Sequence, residues 1–394
     1  MNHPHILFVV LTTETGGVEV LTSALANKFV SEGYGVSIFS FLTGMHTIAG
    51  RLDKRVKLYH RNDYSKSREN VAMLRDILQK DRIRLVVNQC GMPLIPIKTI
   101  LLAAKGMDVK IISAYHSEPG RNGRIQRVDD ALAICTNRML RSLLHSLRWV
   151  VGKATGYGMA YNYRHSDRFL VLSPSHVGKF RHFTGLQQTD RLQVMPNFVH
   201  AASAGFAYSA DKKRKEILYV GRLDQVSKHV ERVIDTWSHL EDRFPDWRLT
   251  IVGDGDAKAG LMLLAEGKGL RHVYFEGFQS PERYYERASL LLLTSEFEGF
   301  GLVAVEGMTY GVVPAVYHSY SAAGDIVEDG KDGILLPFHK EGFRADEAAC
   351  LLSEVLADAP RRERMAVAAM ARSKAFSLEQ VFDRWESLIR DLYV

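Results

Sequence analysis

Short apolar runs alternate with amphipathic stretches along the whole chain, and the alternation begins twice. In the first half, residues 6–11, 36–39, 85–88, 110–113 and 169–173 read as strands, with amphipathic helices such as 18–29 and 70–79 among them. The pattern then restarts. Strands at 217–220, 248–252, 273–275, 290–294, 314–316 and 333–336 alternate with helices near 229–243, 256–268, 281–287, 302–310, 342–356 and 359–373. Strands without polar alternation need cover on both faces. Helices between them carry the chain from one parallel strand to the next. The expected fold class is α/β: two doubly wound parallel-sheet, Rossmann-like domains facing across a cleft. A length of 394 residues suits two domains at roughly 100–200 residues each. The small, polar, aperiodic stretch 200–210 marks the break, which predicts domains over 1–199 and 200–376. Residues 377–394 begin with a serine and carry Leu378, Val381, Trp385, Leu388 and Leu392 at helical spacing.

In such sheets ligands bind beyond the carboxyl ends of the strands. The richest of these turns is Ser295–Pro314, after the strand 290–294. Gly299 and Gly301 allow a tight turn and a close approach of backbone to a ligand. The helix from about Leu302 then offers free N–H groups and a positive dipole end. Glu298 precedes that helix and Glu306 lies about a turn inside it. Two acceptors beside an anion-binding helix end suit a molecule that combines sugar hydroxyls with phosphates. The plainer alternative is an ordinary strand–helix loop with Glu306 solvated or capping.

Three other turns follow the same design. Gly16 and Gly17 open the first helix, where backbone N–H groups could meet a phosphate or simply make a turn. Gly221 is followed by Arg222 and Lys228, and two cations at one strand mouth answer a diphosphate. Gly253 leads into Asp254-Gly255-Asp256, which reads as a tight turn and helix cap, with a metal-binding pair as the alternative. His116, after the strand 110–113, is placed to point into the cleft from the first domain.

Composition narrows the partners. Residues 1–200 carry +13 and the remainder −7, against +6 for the whole. The basic half implies an anionic partner: nucleic acid, anionic lipid or a phosphorylated carrier. The charged run 211–216 reads as a solvated approach to a strand, ahead of a nucleic-acid patch. Cys90, Cys135 and Cys350 are far apart and odd in number, which suggests a reducing compartment. No signal peptide and no apolar run of about 18 residues is read.

Taken in order, these pieces resemble the retaining nucleotide-sugar glycosyltransferases of family 4, which have the GT-B fold. The resemblance rests on Gly16-Gly17-Val-Glu19, His116, 171–173, 194–197, Gly221-Arg222 with Lys228, 252–255, Gly277-Phe278, and Glu298 with Glu306. It implies roles position by position. Glu306 would bind ribose hydroxyls, and Arg222 and Lys228 the diphosphate. The backbone of Phe300, Gly301 and Leu302 would contact phosphates and sugar, together with the glycine turns at Gly16, Gly17, Gly221, Gly253 and Gly299. Glu298 would bind a sugar hydroxyl, and His116 the transferred sugar. Phe278 lies in the segment 273–279, which would line the base pocket. His116, Arg222, Lys228 and Glu298 are the candidate catalytic set. No cofactor and no metal are expected. The C-terminal helix would return to the first domain. Two departures stand out: Gly307 replaces the alanine usual after the helix carboxylate, and 319–325 lacks the Gly-Pro-Ser-like turn.

On the acceptor side, the stretch 135–152 has helical period. Leu140, Leu143, Leu144, Leu147 and Val151 share one face; Arg138, Arg141, His145 and Arg148 share another. This is a membrane-surface helix or a core-facing helix with a solvated basic side. With the +13 of this half, it points to an anionic membrane surface and a glycan or lipid-linked acceptor, as in cell-surface polysaccharide or lipopolysaccharide assembly. The expected location is cytoplasmic, free or peripheral at the cytoplasmic membrane face. Two rivals are a nucleotide-sugar epimerase on the same fold and a basic nucleic-acid-binding module. The second lacks nucleic-acid motifs, so no nucleic-acid partner is expected.

Overall fold

The computed structural model describes residues 3–203 and 205–393. Val394, the last residue of the expected C-terminal helix, lies outside the described residues. The chain divides into two units, Met1–Pro196 with Phe382–Val394, and Asn197–Val381.

The first unit runs β1 (His5–Thr12), α1 (Gly17–Ser31), β2 (Val36–Leu42), β3 (Lys57–His60), α2 (Arg68–Lys80), β4 (Ile83–Asn88), α3 (Leu94–Ala103), β5 (Lys110–Ala114), α4 (Gly123–Ile134), α5 (Arg138–Arg164), β6 (Arg168–Val171), α6 (Pro174–Thr184) and β7 (Leu192–Val194). All seven strands are parallel, in the order β3-β2-β1-β4-β5-β6-β7. The chain moves outward one way from β1, then returns and moves outward the other way from β4. Loops after β1 and β4 therefore diverge to opposite faces and leave a crevice at their carboxyl ends. Ile6 to Val10 are at most 1% exposed, as a central strand covered on both faces must be.

The second unit runs β8 (Arg214–Val220), α7 (Val230–Ser238), β9 (Arg248–Val252), α8 (Lys258–Gly267), β10 (Val273–Gly277), α9 (Glu282–Arg287), β11 (Ala288–Leu293), α10 (Leu302–Thr309), β12 (Val313–Tyr317), α11 (Ala323–Ile326), β13 (Ile334–Leu336), α12 (Ala345–Ala357) and α13 (Ala359–Ser373). Its parallel order is β10-β9-β8-β11-β12-β13, so the switch lies between β8 and β11.

Helix α14 (Leu378–Leu392) begins in the second unit and ends in the first. The Ser377 hydroxyl accepts from the Gln380 N–H at 3.2 Å and caps it. Its Phe382 and Trp385 rings pack edge-on to Phe29 of α1, with centroids 4.9 and 6.3 Å away.

Two features depart from expectation. β3 and β7 were not foreseen. Both sit at sheet edges and lack the apolar run that marks a doubly covered strand. The charged run 211–216 is not uniformly solvated. Glu216 is fully buried and accepts from Arg287 at 3.0 Å and from Thr250 at 2.7 Å. Burial also brings the Lys213 ammonium down to about 7, where it donates to the Tyr285 carbonyl at 2.8 Å. The amphipathic stretch 135–152 falls largely within a 27-residue helix, α5, and of its two readings the exposed apolar face over the first half sets aside the core-facing one. Met139, Leu143 and Val150 are 81%, 66% and 52% exposed, and Leu140 and Leu147 are exposed beside them.

Candidate functional site

The second unit gathers its charged turn residues at the β8/β11 switch. β8 ends at Val220, and Gly221, Arg222, Asp224 and Lys228 follow in the loop to α7. β11 ends at Leu293, and Ser295, Glu298, Gly299, Phe300 and Gly301 follow in the loop to α10. Because β8 and β11 are hydrogen-bonded neighbours, their loops meet. Lys228 Nζ donates to Glu298 Oε1, which also accepts from the Ser295 hydroxyl at 2.9 Å. The Glu296 N–H donates to the Ser227 carbonyl at 2.9 Å, and Arg232 pairs with Glu296 at 2.9 Å.

Asp224, which the sequence reading passed over, organises the first loop. Its Oδ1 accepts from the N–H groups of Ser227 at 2.6 Å and Lys228 at 3.0 Å, and its Oδ2 from Arg222 Nε at 2.7 Å. Burial disfavours the Asp224 carboxylate, but these donors outweigh it and hold the group well below the usual carboxylate range. Asp224 thereby sets both cations at one mouth. The Asp-x-x-Ser spacing of an Asx turn was its available signal.

Gly301 caps α10 with φ 95°, and a Cβ there would meet the Tyr320 hydroxyl oxygen at 2.5 Å. Leu302 is the first helical residue. Phe300 is 3% exposed and packs edge-on to Phe376, so it offers a ligand its backbone and not its ring. Glu306, one turn on, accepts from the Tyr285 hydroxyl at 3.0 Å. Burial pushes the Glu306 carboxyl up, and the Tyr285 hydrogen bond offsets only part of that. Tyr285 was also missed: it reads as one of two adjacent tyrosines in a short helix.

The remaining candidates lie around this edge or in the other unit. Gly253 follows β9, where a Cβ would collide with the Gly221 carbonyl oxygen; its glycine is accounted for by loop-on-loop packing. Phe278 follows β10 and is 85% exposed. The expected cap at Asp254-Gly255-Asp256 is corrected. Helix α8 is preceded by Ala257 with no side-chain cap, and Asp254 instead accepts from the Gly255 N–H at 2.8 Å and Lys258 Nζ at 3.1 Å. The turn is tight, but its carboxylate is tied back to the helix by Lys258.

In the first unit, Gly16 is the N-cap of α1 and Gly17 its first residue, and a Cβ on Gly17 would meet nothing within 4 Å. A Cβ on Gly16, by contrast, would lie 2.7 Å from a Glu19 carboxylate oxygen, so the chain's own carboxylate sits at the N-terminus of α1. His116 follows β5 and bonds Gln89 through Nε2 at 2.7 Å. Beyond it, Glu118 is fully buried and paired with Lys179 of α6. Burial pushes the Cys90 thiol up to about 12, which disfavours its thiolate.

Known proteins share both halves. A family described as Glycosyltransferase Family 4 matches residues 15–203, and one described as Glycosyl transferases group 1 matches 204–372. The alpha-D-kanosaminyltransferase of Streptomyces kanamyceticus is 35% identical over 184 residues, 45% of this chain and 46% of that protein. A Campylobacter jejuni alpha-1,4-N-acetyl-D-galactosaminyltransferase, named as acting on an undecaprenol-diphosphate-linked glycan, is 25% identical over 59% of this chain and 62% of its own. The matches thus span less than two thirds of either relative. Among solved structures, a lipopolysaccharide outer core galactosyltransferase aligns with TM-score 0.72 at 19% identity, over 98% of this chain and 99% of that one. An Anabaena protein in complex with UDP and glucose aligns with TM-score 0.71 at 16% identity, over 99% and 100%. With both family matches running end to end over residues 15–372 and both parallel sheets in place, the chain belongs to glycosyltransferase family 4 and has the GT-B fold.

Proposed function

We propose that the protein is a retaining, metal-independent glycosyltransferase that moves a sugar from a nucleotide diphosphate sugar to a glycan or lipid-linked acceptor in cell-surface polysaccharide or lipopolysaccharide assembly. One observation carries this reading: Arg222, Lys228, Glu298 and the N-terminus of α10 meet at the switch between β8 and β11. The leaving phosphate gains charge as the glycosidic bond breaks. Cations and helix N–H groups already fixed at that edge stabilise the developing charge more than the ground state. Lys228 exchanges its Glu298 partner for the diphosphate, which frees Glu298 to accept from a sugar hydroxyl. Glu306 takes the ribose hydroxyls, and the exposed Phe278 ring offers a face to the base. The acceptor class is supported by the Campylobacter relative, and the UDP-bound Anabaena fold neighbour supports a nucleotide donor. Incubation with a panel of nucleotide sugars tests the reading by release of nucleoside diphosphate and transfer to lipid-linked acceptors. Formation of an epimer alone, or no turnover of any donor, overturns it. Turnover is expected to survive EDTA, since protein cations hold the phosphates; loss in EDTA that Mn²⁺ restores and Asp254→Ala abolishes refutes the metal-free reading.

Glu306 offers a pH test. It binds hydroxyls best as a carboxylate. Because its carboxyl is raised, protonation as pH falls begins above the ordinary glutamate range near 4.3, and donor affinity is expected to fall from there. The same raised group makes the fold more stable below the unfolded-state value and less so as pH rises through the folded-state value. Glu306→Gln, which removes the buried charge, is therefore expected to melt at or above wild type at pH 7. Glu306→Ala should weaken nucleoside diphosphate binding by about 1.5–3 kcal/mol. Isothermal titration between pH 5 and 8 checks both; unchanged affinity in Glu306→Ala removes the assignment.

We propose further that α5 holds the enzyme to an anionic membrane. Its exposed Met139, Leu140, Leu143, Leu147 and Val150 supply an apolar face, and Trp149, 65% exposed, an interfacial anchor. Arg138 and Arg141 add charge at about 1 kcal/mol each near an anionic surface. Arg148 is paired with Asp129 of α4, so it is left out of the test. Arg138→Glu/Arg141→Glu is expected to release the protein from phosphatidylglycerol vesicles in flotation, as is high salt. No wild-type binding to such vesicles at low salt refutes this role. Among the described residues no helix is long and apolar enough to cross a membrane.

A further inference from the structure

At the switch point of the first sheet, His116 is connected to helix α1 through two buried side chains. Gln89 immediately follows β4, and its own N–H donates to the Val9 carbonyl of β1 at 2.9 Å. Its side-chain Oε1 lies 2.7 Å from His116 Nε2. Its Nε2 lies 3.1 Å from the Thr22 hydroxyl oxygen. Thr22, on α1, donates that hydroxyl to the Val18 carbonyl at 2.7 Å. Gln89 is 8% exposed and Thr22 1%, so water does not substitute for either partner.

The directions of these bonds follow from the proton inventory. A hydroxyl has one proton. Thr22 commits its proton to Val18, so towards Gln89 it can only accept. The amide nitrogen of Gln89 must then face Thr22, and the amide oxygen must face His116. An amide oxygen donates nothing, so His116 Nε2 carries a hydrogen. The competing arrangement flips the amide, turns the Thr22 hydroxyl onto Gln89, and moves the imidazole hydrogen to Nδ1. It forfeits the short Thr22–Val18 bond.

We propose that Gln89, anchored by Thr22, is the positioning residue that holds His116 in the Nε2–H tautomer and in one ring orientation for sugar transfer. The role rests on the transferase reading given above. Val18, where the relay ends, directly follows the Gly16-Gly17 turn. The candidate phosphate turn of this unit and its candidate sugar-contacting histidine are thereby built on one hydrogen-bonded chain.

The test pairs a spectroscopic readout with kinetics on the full-length protein. Long-range ¹H–¹⁵N correlation spectra, with the His116 signals assigned by their loss in His116→Asn, report the tautomer directly. Wild type is expected to show the Nε2–H pattern. Gln89→Leu is expected to show a mixture or the Nδ1–H form, with kcat for transfer down about 10–100-fold, the size of loss seen when the outer partner of a metal-ligating histidine is removed. Donor KM should change no more than about 3-fold, a bound of about 0.6 kcal/mol that separates positioning from donor binding. Thr22→Val should act in the same direction, and Thr22→Ser, which keeps the hydroxyl, should restore both readouts. Thermal melts of Gln89→Leu and Thr22→Val identify a variant that has simply lost its fold, and the other then carries the test. An Nδ1–H wild type, or a tautomer unmoved in both variants, overturns the relay. A shifted tautomer with wild-type kcat makes Gln89 a packing residue and overturns the positioning role. A wild type that turns over no nucleotide sugar overturns the transferase reading and this role with it, while the spectra report the relay separately.

Discussion

Lys228→Ala is expected to lower kcat/KM for sugar transfer by about 10²–10³-fold, the usual loss when one fixed donor to a developing oxyanion is removed. The Lys228 side chain is 21% exposed, and its partner Glu298 lies in the loop that leads into α10. Removing it takes one cation from the diphosphate and also leaves the Glu298 carboxylate close to incoming phosphate charge. Both effects raise the transition state. The fold should tolerate the change, because a partly exposed ion pair contributes about 0–1 kcal/mol. Arg222→Ala should cost less, since that side chain is 70% exposed and solvent takes up part of its role. The double variant should fall short of the product of the two, because both cations act on one group through the shared Asp224 loop. Steady-state kinetics with melting curves decide the point. A loss below about 3-fold in a folded Lys228→Ala protein, under 1 kcal/mol of transition-state stabilisation, removes the residue from the catalytic set.

Truncation before Ser377 is expected to yield an insoluble or unfolded protein. The deleted segment contains Phe382, Trp385, Leu388 and Ile389, each 3–4% exposed. At about 1.5–3 kcal/mol for each buried large apolar side chain, its loss removes about 6–12 kcal/mol. A domain's whole stability is about 5–15 kcal/mol. The truncation also uncovers Phe29 and strips two polar contacts: Tyr34 to Glu386 at 3.3 Å, and Tyr393 to the Arg84 carbonyl at 2.8 Å. A milder variant, Trp385→Ala, should fold but melt earlier, at a cost of about 3–5 kcal/mol. A soluble, fully active truncation would show that α14 contributes nothing to the first unit.

How much could be read beforehand depended on whether a feature is local. Strands such as β4 and β11 announced themselves because burial on both faces demands a continuous apolar run. β3 and β7 did not, because an edge strand is half solvated and its composition resembles a loop. Helix α5 shows a different limit. Its 3.6-residue apolar period is the same whether the apolar face meets a core or lies open, so periodicity established the helix and left its surroundings undecided. The candidate site divides similarly. Gly299, Gly301 and the α10 start are consecutive in the chain and were visible as a motif. Asp224 and Tyr285 act through partners that no spacing rule connects to a ligand. Gln89 is further still from notice, since its meaning depends on Thr22, 67 positions away, and on His116, 27 away.

By itself, then, the order of residues determined an α/β architecture restarted once, because alternating runs of doubly buried strand and amphipathic helix admit few other solutions. It also determined that two glycine-bearing turns of the second half carry opposite charges. It did not determine that these turns touch. That depends on strand order, and the β10-β9-β8-β11-β12-β13 arrangement is decided by how whole strands and helices pack, not by any local preference. Only once β11 pairs with β8 does Lys228, 70 residues from Glu298 along the chain, become its hydrogen-bond partner.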